Sequence, residues 1–68
     1  MNRRPVTSSN VASIGWENDV LEVEFHSGHI YRYHDVPQGE YQALLGASSV
    51  GKMFNSAIAG QFREEKVT

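Results

Sequence analysis

From Val11 onward the apolar residues recur with a period of two. Ala12, Ile14 and Trp16 share one side, and Val11, Ser13 and Gly15 share the other. Leu21, Val23 and Phe25 alternate with Glu22, Glu24 and His26, and HIYRYH at 29–34 is rich in aromatic and branched residues. Such alternation predicts strands with one buried face. Asn18-Asp19 suits a two-residue hairpin turn, which sets Trp16 opposite Leu21, Ile14 opposite Val23 and Ala12 opposite Phe25. Every pair on that side is apolar, as a core face requires.

The next turn admits two registers. A two-residue turn at Ser27-Gly28 pairs Val23 with Arg32 and turns Tyr31 and Tyr33 outward. A three-residue turn over His26-Ser27-Gly28, with Gly28 left-handed, pairs Phe25 with His29, Val23 with Tyr31, Leu21 with Tyr33 and Glu22 with Arg32. Burying an unpaired guanidinium costs several kcal/mol, whereas an exposed Glu22–Arg32 pair contributes ~0.2–1 kcal/mol. The second register is therefore predicted, with both tyrosines facing the core. Val11 and Ile30 are the sizeable apolar groups left on the open face.

Beyond the strands the period lengthens. DVPQGEYQALLG predicts a short helix with Pro37 in its first turn, a Tyr41, Leu44, Leu45 stripe, and Gly46 as a left-handed stop. SSVGKMFNSAIAG predicts a second helix with a serine N-cap, a stripe of Val50, Met53, Phe54, Ala57 and Ile58, and Gly60 as terminator. Gly51 inside that helix points to close backbone approach, and Phe62 can pack back on the helix end. The predicted fold is α+β: a three-stranded antiparallel meander with two C-terminal helices on one face, in two layers. Residues 1–8 are expected as a flexible lead-in, 9–63 as one domain and 64–68 as a tail.

Composition narrows the function classes. A chain of 68 residues makes one small domain. It has no cysteine, so disulfides, thiolate metal sites and cysteine nucleophiles are all excluded. No apolar run follows Arg3 and Arg4, so no secretory leader is predicted, and nothing approaches a membrane span. A cytoplasmic setting fits. The net charge of −2, with acids and bases interspersed, argues against bulk polyanion binding but leaves room for a local basic patch.

Three chemical signatures dissolve on inspection. GASSVGKM at 46–53 approaches the phosphate-loop pattern, but Met53 stands where a hydroxyl must meet magnesium, and the segment follows a helix rather than a strand. His26, His29 and His34 lack the thiolate partners usual for structural zinc. No serine has a base held by a third group, and Glu22 and Glu24 alternate on an open strand face rather than in a cleft. No enzyme, metal or cofactor is expected.

Three stretches together resemble the KTSC domain family, a small bacterial and phage module also found at the C-terminus of some lysyl-tRNA synthetases. SSNVASIGW is similar to its opening strand. VEFHSGHIYRYHDVP is similar to its central hairpin, with Tyr31 and Tyr33 as the tyrosine-x-tyrosine pair. SSVGKMFNSAI is similar to its closing helix, through Ser49, Gly51, Phe54, Asn55 and Ile58. Trp16 and Phe62 replace tyrosines common in the family, and the mixed REEK tail replaces a more basic end. The family has no established activity, and RNA binding is suggested by its company with a synthetase. The resemblance implies a non-catalytic binding module, with RNA as the leading partner and another protein as the alternative. Arg3, Arg4, Lys52, Asn55 and Arg63 are the candidate contacts.

Overall fold

The computed structural model describes residues 1–68. Seven elements follow in order: β1 (Arg4–Pro5), β2 (Val11–Glu17), β3 (Val20–Phe25), β4 (Ile30–His34), α1 (Gln38–Leu45), α2 (Val50–Ala57) and β5 (Arg63–Lys66). The strands form one antiparallel meander in the order β1-β2-β3-β4-β5, with both helices on one face. The α+β, two-layer class stands, but with five strands rather than three. The segments expected as lead-in and tail supply the two edge strands. Neither shows a period-two apolar pattern, because β1 and β5 are solvent-exposed throughout and have no buried face to mark.

Both hairpins turn where backbone chemistry directs. Asn18 and Asp19 both take positive φ, 52° and 64°, the conformation a two-residue turn needs to match strand twist. Trp16 faces Leu21 and Ile14 faces Val23. Ala12, however, does not face Phe25: the register shifts between Val11 and Ser13, and Val11 is Phe25's partner. This bulge turns Val11 into the core, fully buried, so it is not on the open face as predicted. At the second turn Gly28 takes φ 96°, and Phe25 N–H donates to His29 O at 2.9 Å. Tyr31 then faces Val23, Tyr33 faces Leu21 and Arg32 faces Glu22, the register predicted from the cost of burying Arg32.

The core joins Ile14, Leu21, Val23 and Tyr33 of the sheet to Leu44, Val50, Phe54 and Ile58 of the helical layer. Phe54 is its hub: its ring meets Phe25 edge-to-face at 5.6 Å and Tyr33 at 5.4 Å, while Phe25 meets Tyr31 at 5.8 Å. Such pairs add about 0.5–1.5 kcal/mol each beyond their burial. Trp16 closes the far end by donating its indole N–H to Val36 O at 2.8 Å. Pro37 stands just before α1 rather than inside its first turn. Gly46 has φ −94° and is not a left-handed stop; its N–H donates to Gln42 O at 3.1 Å, and the Ala47 N–H donates to Leu44 O at 3.2 Å. Gly60 is left-handed, at φ 77°.

The two tyrosines are not equivalent. Tyr33 is 2% exposed, and its hydroxyl donates to Glu64 Oε1 at 3.0 Å, while Tyr31 lies half-buried at the rim. Burial, followed by the hydrogen bond to Glu64 and that residue's charge, pushes the Tyr33 hydroxyl well above the ordinary phenol range. It stays a neutral donor. Tyr33→Ala is expected to lower unfolding stability by about 3–5 kcal/mol, as large aromatic truncations in cores do. Tyr31→Ala should cost clearly less, and chemical denaturation of the two variants beside the parent checks the order.

Candidate functional site

Two polar segments remote in sequence converge at the start of α2. On one side, Ser8 Oγ accepts from the N–H groups of Asn10 (3.2 Å) and Val11 (3.3 Å), bending the chain into β2. His26 anchors the same bend, its Nε2 meeting Ser8 O at 2.8 Å and its backbone N–H donating to Asn10 O at 2.9 Å. On the other side, Ser49 caps α2 by accepting from Lys52 N–H at 3.3 Å. Serine at this position satisfies one of the free donors of the first turn. Gly51 lets the two walls meet, because a Cβ there would lie 3.3 Å from Ser8 Oγ.

Between the walls lies a cleft of about 280 Å³ lined by residues 7–10, 48–52 and Asn55. A second cleft, of about 460 Å³, shares Thr7, Ser48 and Val50 with it and continues past Arg4, Val6 and Leu45. Lys52 and Asn55 are exposed on the rim, and neither side chain makes a hydrogen bond or ion pair within the chain. Their polar groups are free for a ligand. No histidine or carboxylate lines either cleft.

The structure thus brings together only part of the predicted set. Arg4, Lys52 and Asn55 border the joined clefts. Arg63 lies on β5, opposite His34 at the far edge of the sheet. Arg3 is engaged on the open face: its Nε donates to Ser13 Oγ at 3.0 Å, and its Nη1 donates to Glu22 Oε2. Ser8, Asn10 and Ser49 complete the clefts; Ser8 and Asn10 were not among the predicted contacts. Their signal was present in SSN and SSVG, stretches that hold no catalytic spacing and stand roughly forty residues apart.

Glu22 is not the exposed partner of Arg32 that the strand pattern suggests. It is 4% exposed, roofed by Arg3 and bonded by Arg32 Nε at 2.9 Å. Gly15 makes room for this roof, since a Cβ there would stand 2.5 Å from Asn2 O and 3.1 Å from Arg3 Cγ. Ser13 Oγ passes the network on to Glu24 Oε1 at 2.8 Å. The three histidines take separate partners: Ser8 O, Thr68 O and Glu65 Oε1.

The family model for the KTSC domain matches residues 7–62, which span the cleft and the central hairpin. The chain belongs to the KTSC domain family. An uncharacterized protein of Stutzerimonas stutzeri is 46% identical over 63 residues, covering 90% of this chain and 89% of its own. A crystal structure of a KTSC domain protein from Yersinia pestis superimposes with a TM-score of 0.93 at 36% identity, covering 98% of this chain and 97% of that one. A lysine–tRNA ligase of Nostoc punctiforme is 36% identical over 52 residues, covering 76% of this chain but only 9% of the ligase. In that enzyme a KTSC-like segment accompanies a much larger protein. No helix of the KTSC chain is long and apolar enough to cross a membrane.

Burial opposes the charge of Glu22, but hydrogen bonds from Arg32 and Arg3, and the charges of both guanidiniums, outweigh it and hold the carboxyl below its ordinary value of 4.5. A carboxyl whose folded pKa is depressed contributes stability that is present above the unfolded pKa and is lost as pH falls through the folded one. Glu22→Gln should therefore be less stable than the parent at pH 7, with the gap narrowing below about pH 4.5. Urea titrations at pH 7, 5 and 3 check the sign.

Proposed function

We propose that this KTSC domain is a non-catalytic module that binds an RNA strand along the joined clefts at the start of α2. The observation that carries this function is the convergence there of Ser8, Asn10, Ser49 and Asn55 with the unpaired cations Lys52 and Arg4. Hydroxyls and amides donate and accept at once, which suits ribose and base edges. A lysine and an arginine at the rim suit phosphates. The cleft lining without a histidine or carboxylate supports binding rather than chemistry, since a nucleophile needs a base beside it. The company of a similar segment with a lysine–tRNA ligase supports RNA as the polymer, and with it a cytoplasmic setting. Arg3 is left out of the site, since Glu22 holds it, and so is Arg63, on the far edge.

One observation favours a protein partner instead. Val6, Leu45 and Val50 line part of the larger cleft, where an apolar side chain finds contacts that a phosphate does not. Salt separates the two. Binding through two phosphates falls steeply with salt, whereas docking on these apolar residues does not.

Fluorescence titrations of a labelled RNA against the parent and an Arg4→Ala, Lys52→Ala double variant test the proposal. Binding by the parent should weaken with salt, and the double variant should lose about one unit of the log–log slope per phosphate contact. Folding should change by no more than about 0.5 kcal/mol, since both side chains are exposed. Parent binding that survives the double variant but disappears in Arg63→Ala would place the site on the other edge. No RNA binding in the parent leaves the protein partner as the better account.

A further inference from the structure

The two edges of the sheet differ in their backbone chemistry. Val67 N–H donates to Ile30 O at 2.8 Å, and Arg63 and Glu65 stand opposite His34 and Arg32. Antiparallel ladders alternate, so the odd-numbered residues of β5 bond to β4, and the N–H and C=O groups of Glu64 and Lys66 point away from the sheet. Just past β1, Val6 N–H donates inward to Ala12 O at 3.1 Å, which leaves Pro5 at the outward position. Proline has no N–H to offer, a common way of closing an edge. β1 is closed, and β5 is open.

We infer that β5 pairs antiparallel with β5 of a second copy of this chain, about a two-fold axis through Glu65. In that register Glu64 of each copy lies opposite Lys66 of the other. The outward backbone groups of both positions then face one another and complete their hydrogen bonds. The Glu64 and Lys66 side chains share the helix side of the sheet, because these residues stand opposite Tyr33 and Tyr31. Two opposite-charge pairs therefore form at once, each mildly favourable across strands. The like-charge contact, Glu65 against Glu65, falls on the open face. There each carboxylate already meets its own His34 Nε2 at 2.8 Å and stands opposite Arg32.

Neighbouring registers fit less well. A slip of two residues one way sets Arg63 against Glu65, but it brings Glu64 onto Glu64 and leaves Lys66 opposite Phe62, which lies outside the strand. A slip the other way sets Lys66 against Lys66. Pairing across four residues buries little area, so the dimer is weak and concentration-dependent.

Sedimentation velocity from about 10 μM to about 1 mM, the range of weak transient contacts, is the test. The parent should show a reversible monomer–dimer equilibrium. Lys66→Glu and Glu64→Lys should each dimerise at least about tenfold more weakly, because each sets like charges opposite twice. An equimolar mixture of the two should recover association, since the introduced lysine of one variant then meets the introduced glutamate of the other. Lys66→Pro removes an outward N–H without touching the β4 ladder, so it should abolish the dimer while melting close to the parent. A monomeric parent, or single variants that dimerise like the parent, would overturn the inference. So would a folded mixture that fails to recover.

Discussion

The left-handed Gly28 sets the register of the whole sheet. Its three-residue turn places Tyr31 opposite Val23 and Arg32 opposite Glu22. A two-residue turn would exchange the two faces of β4 and bury a guanidinium. With the observed register, Tyr33 reaches the Phe54 ring on the helical side, and Glu22 becomes a buried acid on the other side. A buried carboxylate needs cations. One comes from the neighbouring strand as Arg32, and the other from the start of the chain as Arg3. The turn therefore decides both the core and the place where the N-terminal segment settles.

That segment connects the fold to the candidate site. It is held at one end by Arg3 on Glu22 and at the other by Ser8 against the β3–β4 hairpin. Between these two anchors run Arg4 to Thr7, which form one wall of the larger cleft. Each anchor has a glycine beneath it: Gly15 under Asn2, and Gly51 beside Ser8. Side chains at either place would push the wall outward, so the shape of the clefts depends on two residues that contribute no functional group. The family's Ser-x-Gly motif has a physical meaning here, with Ser49 capping α2 and Gly51 admitting the segment that faces it.

Charge in this small domain is divided among distinct duties. Arg3 and Arg32 compensate Glu22, Glu64 receives the Tyr33 hydroxyl, and Glu65 meets His34. What remains unpaired at the clefts is Arg4 and Lys52. A net charge of −2 is therefore a poor guide to the potential at the site, since most of the acids lie on the sheet's other face or edge.

Periodicity determined the three central strands and both helices, because each of these has a buried face whose pattern is local, while the cost of burying Arg32 chose the second hairpin register and serine capping chemistry placed Ser49. Glycine and asparagine chemistry determined both turns in the same way. Tertiary structure decided the rest. β1 and β5 bury no face, so no alternation announces them, and they exist only because β2 and β4 offer unpaired edges. The bulge that turns Val11 inward interrupts the alternation that predicted it outward. Burial of Glu22 depends on an arginine nineteen positions away. The clefts join residues 7–10 to residues 48–55, a proximity that no local pattern encodes and that only the packing of α2 against the N-terminal segment creates.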